Sequence, residues 1–156
     1  MRCTAFENHV AMKFPVHIPF AELLRLELIS VGAGHAQIDV LLRHELCNSW
    51  QMAHGGVTMT LLDVVMAHAA RSDEMQQSDG GRGLVTIEMK TSFMRPATGR
   101  LRGMGKLLTS TSSLAFCEGS VFDENDVLVA HATGTFKFLR SLAVGGRLVE
   151  RVQASD

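Results

Sequence analysis

The fifteen residues VTMTLLDVVMAHAAR, from Val57 to Arg71, decide the fold of this chain. Their length is about four turns of helix and exceeds that of an ordinary strand. They are apolar on nearly every side, which predicts a helix in the interior rather than on the surface. A buried helix requires other elements that wrap around it.

Strand patterns lie on both sides of this helix. Upstream, a short helical pattern at Phe20 to Leu26 precedes strands at Glu27 to Val31 and His35 to Leu42. Downstream, four longer strand-like runs follow: Leu84 to Met94, Arg100 to Leu108, Leu114 to Asp123 and Val127 to Leu139. This order predicts an α+β domain in which an antiparallel β-sheet wraps around one long central helix. A half-open barrel plugged at one end by the helix fits the same pattern.

The composition describes one globular domain. The chain has 156 residues, of which 46% are hydrophobic and 20% charged, and its net charge of −1 argues against a nucleic-acid partner. No apolar run is long enough to span a membrane, and the first residues lack an apolar signal core, so we expect a cytoplasmic protein. We divide the chain into an N-terminal arm (1–19), a domain (20–140) and a C-terminal tail (141–156).

The cysteine and histidine patterns give no metal or disulfide signal. Cys3, Cys47 and Cys117 are odd in number and form no CxxC pair, and the histidines lack ligand spacing. We therefore expect no metal and no cofactor. Cys117 lies in a strand-like run and is expected to be a small buried hydrophobe.

Asp63 is the only acid within the central helix pattern. Apolar surroundings raise the pKa of a carboxyl group, and carboxylates in such places often serve as general bases or nucleophiles. The alternative to a catalytic role is that Asp63 simply lies on the single solvent-exposed stripe of the helix.

His54-Gly55-Gly56 stands immediately before this pattern. The first amides of a helix have no intrahelical partner, and glycine lets a ligand approach them, so the Gly55 or Gly56 N–H could stabilise an oxyanion. Alternatively, the glycines only permit a tight turn. Gly55 and Asp63 are eight residues apart, about 12 Å along a helix, so one chain cannot easily bring both to one reacting atom. Either they are unrelated, or a symmetric homodimer shares two sites.

Three further side chains are candidates for the same site. His54 could hydrogen-bond a substrate or brace the loop, and Asn48 could donate to a carbonyl or hold the loop through backbone bonds. Thr86 falls on the polar face of its strand, with Glu88 and Lys90, and could orient a water molecule or serve only as a good strand former.

The candidate residues follow the spacing Asn48-x5-His54-Gly55-Gly56-x6-Asp63, and the strands after them contain Leu84-Val85-Thr86-Ile87 and Phe93-Met94-Arg95-Pro96-Ala97. With this pattern, the chain resembles the hotdog-fold thioesterases of the phenylacetate-degradation (PaaI-like) type from about Phe20 to Leu139. The resemblance implies that Asp63 attacks a thioester or activates water. It also implies that the Gly55 amide polarises the carbonyl, that Asn48 and His54 shape the pocket, and that Thr86 places the water. The resemblance further implies that the sites lie at a dimer interface, that dimers pair into tetramers and that no metal is bound.

One departure concerns the loop between Asn48 and His54, where the family often has a glycine and this chain has Ser49-Trp50-Gln51-Met52-Ala53. Trp50 and Met52 could line the acyl pocket or only pack the loop. Arg95, Arg100 and Arg102 could meet the phosphates of coenzyme A or be ordinary surface charges.

The sequence thus predicts an acyl-CoA thioesterase that releases a carboxylic acid and coenzyme A. The first alternative is a non-catalytic acyl-CoA-binding protein of the same fold. The second is an acyl-thioester dehydratase, which needs a histidine beside the acid. His68, five residues after Asp63, is a poor helical partner for that role.

Overall fold

The computed structural model describes residues 10–74, 82–139, 143–144 and 147–148. Its elements, in chain order, are α1 (Pro19–Leu24), β1 (Glu27–Gly32), β2 (His35–Leu41), a 3₁₀ helix (His44–Leu46), α2 (Gly55–Ala70), β3 (Gly83–Phe93), β4 (Arg100–Ser110), β5 (Leu114–Phe122), β6 (Leu128–Leu139), β7 (Ala143–Val144) and β8 (Arg147–Leu148). The predicted order of two strands, one long helix and four strands is confirmed, whereas the sequence pattern does not predict the 3₁₀ helix.

Six strands form one antiparallel sheet in the order β1-β2-β4-β5-β6-β3, and α2 contacts all six of them. The sheet is open, because β1 and β3 are its two edges. This arrangement is the predicted α+β fold with an antiparallel sheet around one central helix. It decides against the plugged barrel that the pattern alone left open.

Helix α2 is buried because its apolar residues fill the space inside the sheet. Leu61, Leu62, Val65, Met66 and Ala69 are fully buried. The helix begins at Gly55, two residues before the predicted start, because the His54 side chain accepts a hydrogen bond from the Gly56 amide and caps the first turn. Its least buried stripe runs through Gly56, Met59, Thr60 and Asp63.

Strand β3 contains a bulge that reverses the predicted orientation of Thr86. Its pairing with β6 shifts register between Thr86 and Glu88, so Ile87 is the extra residue. As a result, Thr86 shares the helix-facing side with Met89, while Glu88 lies on the outer side and accepts a hydrogen bond from Thr135. The prediction that Thr86 lies on the same face as Glu88 and Lys90 is wrong for this reason.

The loop before α2 is closed by its own hydrogen bonds. Asn48 Oδ1 accepts hydrogen bonds from the amides of Trp50 (2.9 Å) and Met52 (3.2 Å). The backbones of Cys47 and Ala53 form an isolated antiparallel β-bridge. Gln51 adopts a left-handed conformation, with φ at 59°. This loop is the stretch where the family often has a glycine, and the structure shows that Gln51 occupies the conformation that glycine favours.

The described part of the N-terminal arm lies against the domain. Met12 forms a bridge with Leu28 of β1, and Phe14 and Ile18 pack against the core. Residues 1–9 of the arm, and all of the tail except β7 and β8, lie outside the described residues, so the proposed division of the chain stays a prediction. Among the described residues, no helix is both long and apolar enough to cross a membrane.

Helix and sheet approach each other closely at Gly105 of β4. A Cβ atom at this position would lie 2.4 Å from the carbonyl oxygen of Val65 and 2.7 Å from its carbon. Both atoms belong to the helix backbone, so they cannot rotate out of the way. A residue larger than glycine would therefore push α2 away from the sheet.

We expect Gly105→Ala to lower the free energy of unfolding by about 3 kcal/mol, because overpacking against backbone displaces the central helix. Urea denaturation followed by circular dichroism measures this change. Gly83→Ala is the matched control, since its Cβ would meet atoms no closer than 3.5 Å and should change stability by less than about 0.5 kcal/mol. Equal stability of the two variants would contradict the argument.

We expect Gln51→Gly to raise the free energy of unfolding by roughly 0.5–1 kcal/mol. Relief of the left-handed strain outweighs the extra entropy that glycine adds to the unfolded chain. Gln51→Ala removes the same side chain but keeps Cβ, so it should give no gain in the same denaturation experiment. A gain in both variants would show that the side chain, not the backbone conformation, is responsible.

Candidate active site at the β3 edge

Asp63 lies half-buried on α2 and is held by strand β3. The Thr86 hydroxyl donates a hydrogen bond of 2.7 Å to Asp63 Oδ1. Burial raises the pKa of the Asp63 carboxyl above its ordinary value, and the bond from Thr86 opposes this shift in part. Asp63 does lie on the least buried stripe of the helix, but as a positioned carboxylate with a perturbed pKa rather than as a freely solvated one.

The N-terminus of α2 presents one amide to a ligand. His54 Nδ1 accepts from the Gly56 amide at 3.0 Å, and the His54 carbonyl accepts from the amides of Val57 and Thr58. The Gly55 N–H is then the first-turn donor without a partner among the described residues. The structure therefore favours Gly55 over Gly56 as the oxyanion donor, and it gives His54 the bracing role.

Phe93 borders this amide. A Cβ atom on Gly55 would lie 3.6 Å from the Phe93 ring, which is itself 54% exposed. The sequence pattern does not connect these two residues, because nothing local shows that the end of β3 lies beside the start of α2. They are neighbours only because the helix and the strand run in opposite directions.

The Gly55 amide and the Asp63 carboxylate are not brought together within one chain. They are eight residues apart on one continuous helix, which corresponds to about 12 Å along its axis. Gly55 lies beside Phe93 at one end of β3, and Asp63 is bound to Thr86 near the other end. The chain thus carries the two candidate groups at separate places along one sheet edge, here called the Gly55 half and the Asp63 half of the candidate site.

The remaining predicted site residues surround the Gly55 half. Asn48 Oδ1 is engaged in the loop, so the donation of a hydrogen bond to a carbonyl would fall to its amide nitrogen. The Ala53 amide donates to the Ala97 carbonyl, which places the segment containing Arg95 beside this loop. Trp50 is 77% exposed and so does not pack the loop.

Arg100 and Arg102 lie on the face of β4 that points away from helix α2, and both are engaged in ion pairs. Arg100 bonds Glu27 at 2.7 Å and lies 3.7 Å from Asp39, and Arg102 bonds Asp126. These partners make the two guanidinium groups less suited to phosphate binding than the predictions allowed. Of the three arginines considered, Arg95 is the one placed near the Gly55 half.

Two other reactive groups are unsuited to catalysis. His68 Nδ1 bonds the Val64 carbonyl at 2.7 Å, and burial lowers the pKa of His68 to about 4. Its ring contacts Phe14 of the arm rather than β3, so it cannot assist Asp63. Burial raises the pKa of the Cys117 thiol to about 12, which agrees with its predicted role as a buried hydrophobe.

Comparisons with known proteins agree with this architecture. A family model described as the thioesterase superfamily matches residues 51–130, just over half of the chain. A conserved protein from Pseudomonas aeruginosa is 31% identical, with a TM-score of 0.72 over 80% of this chain and 97% of its own.

Two further relatives are more distant. The Escherichia coli PaaI protein from the phenylacetic acid degradation operon is 20% identical, with a TM-score of 0.71 over 79% of this chain and 86% of its own, and it shows the fold alone. A Thermoplasma volcanium protein named "Putative esterase" is 28% identical over 78% of this chain and 89% of its own. The family match supports hydrolase activity of the thioesterase type. The chain therefore belongs to the thioesterase superfamily, with the hotdog fold and the PaaI-like relationship that its Asn-His-Gly-Gly-Asp spacing predicts.

Proposed function

We propose that this protein is an acyl-CoA thioesterase that hydrolyses the thioester to a carboxylic acid and free coenzyme A. The observation that carries the proposal is the half-buried Asp63 carboxylate, which an otherwise apolar helix holds against Thr86 at the open edge of the sheet. A carboxylate with a raised pKa suits a base or nucleophile that works near neutral pH.

The chemistry divides between the two halves of the site. The Gly55 amide would donate to the thioester oxygen and stabilise the negative charge that develops there. Asp63 would take a proton from water while the oxygen of that water bonds to the carbonyl carbon. The carbon–sulfur bond then breaks, and the thiolate of coenzyme A leaves and is protonated. In the alternative course, an Asp63 oxygen attacks the carbonyl carbon, the carbon–sulfur bond breaks to release the thiolate, which is protonated, and water then hydrolyses the resulting anhydride.

A second copy of the chain would complete the site. Since 12 Å separates the two groups along one helix, Gly55 of one protomer would work with Asp63 of the other. Two-fold symmetry then creates two identical sites per homodimer. Pairing of dimers into tetramers, as the family resemblance implies, is part of the same proposal, as is a cytoplasmic location.

Substrate recognition is assigned to the residues around the Gly55 half. Asn48 and His54 would shape the carbonyl pocket, and Arg95 would meet a phosphate of coenzyme A. Met59, 39% exposed and one turn before Asp63, offers apolar surface to the acyl group. No cofactor is required for this reaction.

The two alternative functions, a dehydratase and a non-catalytic acyl-CoA-binding protein, differ in the residues that they require. A dehydratase would need a histidine beside the acid, and His68 is buried on another side of the helix, in contact with Phe14. A non-catalytic acyl-CoA-binding protein would use the same pocket but would not depend on the charge of Asp63. Only an activity measurement separates this binder from the thioesterase.

We expect Asp63→Asn to lower kcat/KM for acyl-CoA hydrolysis by about 10² or more, because the variant lacks the base or nucleophile. The measurement is release of free thiol from a panel of acyl-CoAs. Asp73→Asn, on an exposed acid just after the helix, is the matched control and should keep wild-type activity.

The variant should also be at least as stable as the wild type. A folded-state pKa raised by burial means that stability is lost as pH rises through that pKa, so removing the charge relieves the cost at neutral pH. If the wild-type protein releases no thiol, while an acyl-CoA raises the melting temperature, the binder is the better description.

We expect kcat/KM to fall as pH drops through the raised pKa of Asp63, because only the ionised carboxylate acts. Thr86→Val removes the bond that lowers this pKa and should move the acid limb of the profile to higher pH. Thr135→Val, on the outer face of the sheet, should leave the limb unchanged. Identical acid limbs in all three proteins would exclude Asp63 as the titrating group.

A further inference from the structure

Residues 10–16, here called the arm segment, lie against the domain just before α1. The Met12 amide donates a hydrogen bond of 2.7 Å to the Leu28 carbonyl of β1. The Phe14 ring contacts the imidazole ring of His68 on α2, with 5.2 Å between the ring centroids and an angle of 75° between the ring planes. The arm segment is therefore attached both to the edge of the sheet and to the central helix.

His68 is buried beneath this attachment with one ring nitrogen unpartnered. Only 4% of the residue is exposed. The Val64 carbonyl can only accept a hydrogen bond, so His68 Nδ1 carries the proton and donates to it at 2.7 Å. Nε2 then bears a lone pair, and this buried atom has no hydrogen-bond partner among the described residues. Nε2 is thus a proton acceptor that water does not reach.

The groups around His68 oppose a positive charge on its ring. Burial lowers the pKa of His68 to about 4, the hydrogen bond to the Val64 carbonyl opposes this shift, and the charge of Arg71 on the same helix adds to it. The arm contributes Lys13, an exposed cation next to Phe14 in the chain. Strands β1 and β2 contact the helix and present apolar side chains to it: Leu28, Ala36 and Ile38. No carboxylate among these groups could pair with an imidazolium.

We propose that acid releases the arm segment: when His68 Nε2 binds a proton from water, Phe14 leaves the His68 ring and residues 10–16 detach, while α2 and the sheet stay folded. Under the closed arm, the charged ring would be buried without a partner, which is costly. With the arm open, water solvates it. The inference goes beyond the proposed function and does not depend on which reaction the protein catalyses.

The two arrangements of the arm differ in the protons that they bind. With the arm closed, the pKa of His68 is about 4, whereas water contact in the open arrangement returns it toward the ordinary value of 6.5. The open arrangement therefore binds more protons between these two values, and the closed arrangement loses stability as pH falls through this range. Above the range, His68 is neutral in both arrangements, and the contacts of Met12 and Phe14 keep the arm closed.

His17, which follows the arm segment, responds to acid in the opposite direction. Its Nδ1 lies 2.9 Å from Glu22 Oε1 of α1. A proton on His17 strengthens this pair as long as the Glu22 carboxylate stays charged. His17 therefore cannot cause the release, and its attachment to α1 limits the detachment to the residues before it.

Hydrogen–deuterium exchange of the Met12 amide, followed by NMR and corrected for the intrinsic exchange rate, measures the opening of the arm. In the wild type, protection of this amide should fall about tenfold or more from about pH 7 to about pH 5, because the open arrangement gains a proton on His68. Amides in the middle of the β4–β5 pair serve as the reference and should keep their protection, since the domain stays folded.

Three variants assign the effect to His68. His68→Leu cannot bind a proton and should protect the Met12 amide equally at both pH values, whereas the control His17→Gln should keep the wild-type pH dependence. Phe14→Ala leaves His68 in place but removes the ring that covers it, so protection should already be low near neutral pH and change little with acid.

Three results would overturn the proposal. These are equal protection of the wild-type Met12 amide at both pH values, a fall that persists in His68→Leu, and an equal fall at the β4–β5 amides, which would indicate global unfolding. If His68→Leu does not fold, an undiminished pH dependence in Phe14→Ala would overturn it as well. Thioester hydrolysis plays no part in this measurement, so the absence of thiol release would reject the proposed function and leave this inference standing.

Discussion

The contact between the central helix and the middle of the sheet is the constraint on which the other features depend. At Gly105, the backbone of β4 lies too close to the Val65 carbonyl for any side chain to fit between them. This approach keeps α2 inside the sheet, where Leu61, Leu62 and Met66 are fully buried. Because the helix cannot shift, the residues on its remaining open stripe keep a constant position relative to β3.

The bulge at Ile87 determines how Thr86 is oriented relative to this helix. It turns Thr86 toward the helix, where its hydroxyl reaches Asp63, and returns Glu88 to the outer face. The hydrogen bond from Thr86 stabilises the Asp63 carboxylate, but burial has the larger effect and keeps its pKa raised. The charged form of Asp63 therefore costs stability at neutral pH.

The length of helix α2 keeps the two candidate groups apart within one chain. The amide at its first turn and the carboxylate at its ninth residue are about 12 Å apart along the helix axis. Both groups nevertheless lie along β3, because α2 and β3 run in opposite directions. The fold therefore places the two candidate groups at opposite ends of one edge of the sheet.

Local sequence determined most of the architecture. The apolar run from Val57 to Arg71 predicts a buried helix, alternation predicts the strands around it, and the spacing from Asn48 to Asp63 predicts the family. These properties follow from periodicity and from the chemistry of neighbouring residues. The orientation of Thr86, the contact of Phe93 with Gly55 and the engagement of Arg100 and Arg102 with acids were decided only by the tertiary structure. Each of these depends on a bulge or on residues 24 to 73 positions apart in the chain, and such long-range pairings leave no mark in local periodicity.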